Sequence, residues 1–268
     1  MIKKWPEIAD EVRNKYLYLF LDFDGTLTLI RRHPKKVRLS GATAKALKKL
    51  LSRENISVAV ISGRALRDVR RRVGVSGIVY AGNHGLEARG PGLRHVVPEA
   101  LKAKRTISKI GRELKKRYRS FRGIYIEDKT LTLSVHFRMV DKRRVKQAEN
   151  IFKSIAGPYS ARGRVVITKG KKVWEIRPPV KWDKGKTALH LLGEKQKQIK
   201  GRIVPFYIGD DRTDEDAFRL LKRRGYTIKV GKGGGRSSFA DYYLSDTGEV
   251  RRFLGLLFTL KRGLEGHV

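Results

Sequence analysis

Residues 16–23 form a nearly continuous apolar run, Tyr-Leu-Tyr-Leu-Phe-Leu-Asp-Phe, broken only at Asp22. The run is too short for a globular helix and suits a strand buried on both faces. Ser40 then stands as a helix N-cap before Ala44, Leu47, Leu50 and Leu51 at helical spacing, and residues 56–61 repeat the apolar strand pattern. A basic helix over 64–73 and a strand over 78–81 continue this alternation. Strand, helix, strand in this order predicts an open parallel sheet, in which ligands gather at the strand C-termini.

The rhythm changes after Gly82. Residues 85–97 hold an Arg-Gly-Pro-Gly turn between alternating segments, which predicts a hairpin. A helix over 99–118, strands over 124–127 and 131–137, a helix over 142–155 and strands over 164–168 and 172–177 follow, and Pro178-Pro179 breaks the chain. Helices alternate with strands again from Lys184: a helix to Leu192, a strand over 203–208, a helix over 214–221, strands over 226–230 and 242–244, and a terminal helix. The fold class expected is therefore α/β, a Rossmann-like parallel-sheet core of residues 1–83 and 179–268, with an inserted α+β domain of residues 84–178. The glycine-rich stretch from Gly231 to Gly235 is read as a flexible loop.

Composition narrows the chemistry. The chain has no cysteine, which excludes disulfides, thiolate metal sites and cysteine-dependent phosphatases. No signal peptide is read at the N-terminus, and the greasy stretch 253–260 falls far short of the roughly 20 residues that cross a bilayer. A cytoplasmic protein without a membrane role is expected. The net charge of +36 makes a field that attracts anions, and it is shared between the insertion and the core. Few Asn and Gln beside 33% charged residues is a balance found in proteins of hot environments.

Asp22 and Asp24, followed by Gly25 and Thr26, fall at the end of the first buried strand. Either aspartate alone caps a turn as readily as it serves chemistry, but carboxylates there are costly without a purpose. The strand over 203–208 runs into Gly-Asp-Asp-Arg-Thr-Asp-Glu, giving a second acidic cluster of Asp210, Asp211 and Asp214. Oxygen ligands with neither His nor Cys nearby suit Mg²⁺ and not zinc. Ser62 in Ile-Ser-Gly-Arg and Lys184 at a helix start can each meet a phosphate. Gly-Lys-Thr at 185–187 is not a nucleotide-binding loop, because Val180 stands where that motif requires glycine.

A carboxylate pair, a hydroxyl, a lysine and an acidic triplet, in that order, resemble the haloacid dehalogenase superfamily of phosphatases. The resemblance narrows through Ala-Gly-Asn-His-Gly-Leu-Glu (81–87), Ser-Val-His-Phe-Arg (134–138), Trp-Glu-Ile-Arg-Pro (174–178) and Gly-Asp-Asp-Arg-Thr-Asp-Glu-Asp-Ala-Phe (209–218). These are similar to the trehalose-6-phosphate phosphatase family over nearly the whole chain. The resemblance implies that Asp22 is the nucleophile and forms an aspartyl-phosphate, that Asp24 is the acid and later the base, and that Ser62 and Lys184 hold phosphoryl oxygens. It implies Mg²⁺ held by Asp22, the Asp24 carbonyl and Asp210, with Asp211 or Asp214 completing or orienting the shell.

The insertion would then be a cap over the sugar. Thr132, Ser134, His136 and Arg138 are expected on one strand face, and Glu175 and Arg177 alternate with Trp174 and Ile176. Substrate contacts are assigned to Thr26, Arg64, His84, Glu87, His136, Arg138 and Glu175. The family commonly has proline where this chain has Leu29, and a neutral residue where it has Asp183.

The implied partner is a small sugar phosphate, with a trehalose-6-phosphate synthase preceding it in the pathway, and a monomer is expected. Phosphatases of sucrose phosphate or mannosylglycerate phosphate are the nearest rivals, which the cap motifs disfavour. Nucleic-acid binding is disfavoured too, because no recognition helix, zinc finger or aromatic strand signature is present, although nonspecific polyanion binding stays open as a side property.

Overall fold

The structure is a computed structural model, and it describes residues 4–30, 37–231 and 238–262. The chain divides into two compact units, residues 1–94 with 182–268, and residues 95–181.

The first unit is built on β1 (Tyr16–Leu21), β2 (Ile56–Ile61) and β3 (Val79–Gly82), which lie parallel in that order. On the other side of β1 the parallel arrangement continues through β10 (Ile203–Gly209), β11 (Tyr226–Val230) and β12 (Tyr242–Leu244). Helices α1 (Trp5–Val12), α2 (Gly41–Leu51), α3 (Leu66–Val73), α6 (Lys184–Gln196), α7 (Glu215–Leu221) and α8 (Thr247–Arg262) complete this unit. Leu17, Leu19, Leu21, Phe206 and Ile208 pack on one side of the sheet with Leu47, Leu50, Phe253 and Leu257. Tyr18, Phe20 and Tyr207 pack on the other with Ala188, Leu191 and Phe218. Burial on both faces is why β1 reads as an unbroken apolar run.

The hairpin of β4 (Glu87–Gly90) and β5 (Leu93–Val96) extends this same eight-stranded sheet, with β4 antiparallel to β3. The expected boundary at residue 84 therefore lies earlier than the observed division at 94. Alternation and a Pro-Gly turn make a hairpin wherever they occur, and only pairing to β3 decides which sheet it joins.

The second unit carries a four-stranded antiparallel sheet, order β6-β7-β9-β8, from β6 (Tyr125–Asp128), β7 (Leu133–His136), β8 (Val166–Gly170) and β9 (Val173–Arg177). Leu133, Val135, Trp174 and Ile176 pack with residues of α4 (Pro98–Arg117) and α5 (Val145–Ala161), among them Ile107, Ile110, Leu114 and Phe152. The helix expected to end at Ile155 runs on to Ala161, with Pro158 in its last turn.

Helix α1 is absent from the sequence reading. Ile8, Ala9 and Val12 bury its inner face. Its C-terminus is held by Lys261 of α8, whose buried ammonium donates to the carbonyls of Val12 (2.8 Å), Arg13 (2.6 Å) and Lys15. Helix C-termini leave carbonyls without intrahelical partners, and a lysine there satisfies them and complements the dipole. Burial lowers the pKa of this ammonium to about 8. The glycine-rich loop reading lies, apart from Gly231, outside the described residues.

Replacing the three-carbonyl cradle tests the anchoring of α1. Lys261→Met is expected to lower stability by about 1–3 kcal/mol, the cost of stranding buried acceptors, seen as a shifted urea midpoint with an unchanged slope.

Candidate active site

Parallel strands bring their C-terminal ends to one edge of the sheet, so Asp22 after β1, Ser62 after β2, Asn83 after β3 and Asp210 after β10 meet there. The backbone N–H of Asp22 donates to the carbonyl of Ile208 at 2.9 Å, which extends the pairing of β1 with β10 by one residue. Lys184, the first residue of α6, points its ammonium into the same place and is 2% exposed.

That ammonium donates to Asp22 Oδ1 and to Asp214 Oδ1, both at 2.8 Å, and lies 3.8 Å from Asp211 Oδ1. Burial works against its charge, but the carboxylates of Asp214, Asp22 and Asp211 outweigh it and hold its pKa well above the usual value. Asp22 is pushed well above the ordinary carboxylate range, first by burial and then by Asp214, Asp211 and Asp210, with Lys184 opposing.

Asp214 is fully buried and accepts four hydrogen bonds. Oδ1 takes those of Lys184 and the Tyr207 hydroxyl at 2.8 Å, and Oδ2 takes the backbone N–H groups of Asp210 and Asp211 at 3.0 Å. A carboxylate offers about four acceptor positions, so Asp214 is occupied in holding the loop and the lysine. The Asp211 carboxylate, in contrast, turns back to Thr213, accepting from its N–H at 2.8 Å and its hydroxyl at 2.7 Å. Burial works against that carboxylate's charge, but Lys184 and the Thr213 bonds lower its pKa to about 2.

Asp210 accepts from the Thr26 hydroxyl at 3.0 Å. Its carboxylate occupies the space where a side chain on Gly25 would stand, 2.0 Å from an added Cβ, and Gly25 also has φ +91°. A glycine is required there on both counts. Burial, then repulsion from Asp214 and Asp211, raise the pKa of Asp210 to about 7.

Asp22, Asp210 and Asp214 each offer an oxygen within 4.8 Å of the other two, a group able to hold a metal ion. The donor set fits a hard divalent cation: all ligands are oxygens, and a cation would offset both the burial and the mutual repulsion that raise the pKa values of Asp22 and Asp210.

Asp24 sits apart from this cluster. Its two carboxylate oxygens accept from Arg64 Nε and Nη2, each at 2.6 Å. Arg64, assigned to substrate from the sequence, thus spends its fork on Asp24, and its Nη1 donates to Asp68 at 3.0 Å. It precedes α3 instead of opening it. Ser62 is buried, and its hydroxyl accepts from the Arg64 N–H at 3.2 Å.

Asn83 (φ 53°) and His84 (φ 57°) adopt left-handed backbone, a strained geometry for residues with side chains. Their backbone N–H groups bond to the carbonyls of Arg64 and Ser62 at 2.7 and 2.9 Å, tying this turn to the Ser62 loop. The His84 ring lies over Gly63, 2.6 Å from where a Cβ would be. Glu87 accepts from the Asn83 amide at 2.8 Å.

On the second unit the polar sheet face carries a cross-strand row, in which Ser134 pairs with Glu127 on one side and Glu175 on the other. The Ser134 hydroxyl donates to Glu175 at 3.1 Å, and the Lys129 ammonium is 3.6 Å away from the same oxygen. His136 Nε2 lies 3.1 Å from Glu127. Arg138 does not share this face. Strand β7 ends at His136, and the chain turns so that Val140 N–H bonds to the Phe137 carbonyl, which leaves Arg138 exposed in the turn. Its expected placement extrapolated a two-residue period beyond the last paired residue.

Three further residues escaped the sequence reading. Tyr207 anchors Asp214, Asp68 anchors Arg64, and the Trp182 indole donates to the Gly85 carbonyl and the Thr187 hydroxyl, each at 2.9 Å. Asp183, a departure from the family pattern, caps α6 by accepting from the Lys186 N–H at 2.8 Å. That is an ordinary N-cap.

The profile of the trehalose-phosphatase family matches residues 20–247. The chain belongs to the trehalose-phosphatase family. Trehalose-phosphate phosphatase B of Arabidopsis thaliana is 35% identical over 276 residues, covering 99% of this chain and 72% of that relative. A solved structure described as a trehalose-6-phosphate phosphatase related protein has a TM-score of 0.77 at 23% identity, covering 93% of this chain and 100% of that one. The trehalose-6-phosphate phosphatase of Aspergillus fumigatus has a TM-score of 0.62 at 25% identity, covering 96% and 97%. With this family goes the reaction class: the chain is a phosphoric monoester hydrolase. Its α/β fold, a parallel-sheet core with an inserted α+β unit, is similar to that of a haloacid dehalogenase-like hydrolase from Bacteroides thetaiotaomicron (TM-score 0.61 at 15% identity, covering 91% of this chain and 100% of that one).

The carboxylate cluster makes a pH prediction. A carboxyl group raised to about 7 in the folded state binds more protons than it does unfolded, so it subtracts stability as pH rises from the ordinary carboxylate range through 7. A bound cation removes that penalty. Addition of MgCl2 is therefore expected to raise the melting temperature more at pH 8 than at pH 6, read by differential scanning fluorimetry.

Proposed function

We propose that this chain hydrolyses trehalose 6-phosphate to trehalose and inorganic phosphate, the last step of trehalose biosynthesis, with Mg²⁺ and through an aspartyl-phosphate on Asp22. The observation that carries this reading is the buried Asp22–Lys184–Asp214 arrangement beside Asp210 at the C-terminal edge of the sheet, in a chain of the trehalose-phosphatase family.

Asp22 is the nucleophile. Lys184 holds its orientation from one side, and its carboxylate attacks phosphorus while the bond from phosphorus to the sugar oxygen breaks. Asp24 gives its proton to that departing oxygen, then takes a proton from the water that cleaves the aspartyl-phosphate, which releases phosphate and restores Asp22. Ser62 and Lys184 hold the non-bridging oxygens as charge is redistributed in the loose transfer. Asp22, Asp210 and the Asp24 carbonyl would hold Mg²⁺, and the four donors filling Asp214 support an orienting role for that residue. The cation would neutralise phosphoryl charge. Asp211, turned to Thr213, supports the loop instead.

The inserted unit serves as a cap that recognises sugar hydroxyls through its polar face, led by Glu175. His84 and Glu87 of the core unit serve substrate binding from the turn after β3 and from β4, and His136 of the inserted unit contributes through Glu127. A trehalose-6-phosphate synthase would supply the substrate, and the enzyme acts as a cytoplasmic monomer.

Phosphate release should be measured across trehalose 6-phosphate, sucrose 6-phosphate, glucose 6-phosphate and mannosyl-3-phosphoglycerate, with and without EDTA. Preference for the first, lost with EDTA, is expected; preference for another sugar keeps the core chemistry and overturns the assignment of Glu175. Asp22→Asn is expected to abolish turnover with circular dichroism unchanged. Glu175→Gln is expected to raise KM for the preferred sugar phosphate by about tenfold, the scale of one charged hydrogen bond, without changing hydrolysis of p-nitrophenyl phosphate.

A further inference from the structure

The Asp24 carboxylate is about one-third exposed, so packing alone does not fix it. What fixes it is the fork of Arg64, two parallel bonds of 2.6 Å to its two oxygens. A bidentate pair sets the plane and position of a carboxylate as a single hydrogen bond does not. The guanidinium is in turn held by a third party. Its Nη1 donates to Asp68 Oδ2 at 3.0 Å, and that same oxygen accepts from Arg72 Nε at 2.6 Å, while Oδ1 accepts from Arg71 at 2.9 Å. Arg72 is anchored by its Nη1 on the Val37 carbonyl at 2.5 Å.

Asp68, in the first turn of α3, therefore gathers three arginines, Arg64 from the preceding loop and Arg71 and Arg72 from the last turn of the helix, and is the group that fixes where Arg64 points. Its carboxyl is held below its usual pKa: burial opposes this, and the bonds from Arg72 and Arg64 outweigh it. Arg64 and Asp68 are four residues apart on a loop and helix that share no strand with Asp24, so the relay ties the end of β1 to α3 through side chains alone.

We propose that Asp68 is a positioning residue for proton delivery: by clamping Arg64 it aims the Asp24 carboxyl at the leaving sugar oxygen. The proposal rests on the assignment of Asp24 as the acid. Asp68 touches neither substrate nor metal in it and acts only through Arg64.

A leaving group that needs no proton separates this role from a structural one. The rate of the first phosphoryl transfer is measured by rapid quench for trehalose 6-phosphate and for p-nitrophenyl phosphate, in the parent enzyme, Asp24→Asn and Asp68→Asn. General acid catalysis is worth roughly 10²–10⁴-fold; Asp24→Asn is expected to lose on that scale with the sugar phosphate and little with the aryl phosphate. Asp68→Asn is expected to show the same selectivity at about tenfold, a fraction of that range, and retained aryl phosphate transfer shows that the variant is folded. If Asp24→Asn is selective and Asp68→Asn is unchanged, faster, or equally slow on both substrates, the positioning role is overturned while the acid assignment stands. If Asp24→Asn is itself unselective, the acid assignment fails and the positioning role falls with it.

Discussion

A lysine ammonium in a nearly water-free position is the constraint around which the core is organised. Removing a charge of this kind from water costs several kcal/mol even after relaxation, and only well-placed opposite charges offset it. Lys184 has them in Asp22 and Asp214, each at 2.8 Å. The dependence runs both ways, since the two carboxylates are also buried and would repel each other without the lysine. Such an arrangement contributes little net stability compared with apolar packing, but it leaves few alternative positions for any member. Asp22 is held in place by a residue 162 positions away in sequence, across the whole inserted unit.

Electrostatic order spreads outward from that point. Asp214 passes the lysine's position to the backbone of the Asp210–Asp211 turn and to Tyr207 on the adjacent strand. Asp24, two residues after Asp22, belongs to a separate set of charges gathered by Asp68. One short segment therefore presents two carboxylates to two independent supports, one buried beneath the sheet edge and one at its rim. Within three residues the chain thus gives two carboxyl groups different surroundings, the condition under which such groups can take different protonation states.

Much of this was legible in the sequence for physical reasons. A strand buried on both faces has to be apolar throughout, so β1 and β10 declare themselves, and the aspartates that end them stand out by contrast. Lys184 is legible only from the order of motifs, because a lysine at a helix start is otherwise an ordinary surface residue. Tyr207 reads as one more aromatic in a buried strand, and nothing in spacing reveals that its hydroxyl meets Asp214. Asp68 sits among the five arginines of 64–72 and reads as a solvated helix charge. The hairpin of β4 and β5 carries the same alternation whether it opens a new unit or closes the old sheet. Helix α1 escaped because its buried positions, Ile8, Ala9 and Val12, are few and its anchor, Lys261, lies at the other end of the chain.

The Trp182 indole has an effect on chain entropy. Its N–H joins the Gly85 carbonyl, 97 residues earlier, to Thr187 on the first turn of α6. The departing and returning segments are thereby fastened together within the core unit itself. For a chain held at both ends in this way, the cost of closing the intervening loop grows only with the logarithm of its length. The core can carry an insertion of almost any size between those two points, and the insertion can be remodelled in evolution while Asp22, the lysine and the acidic loop stay in register.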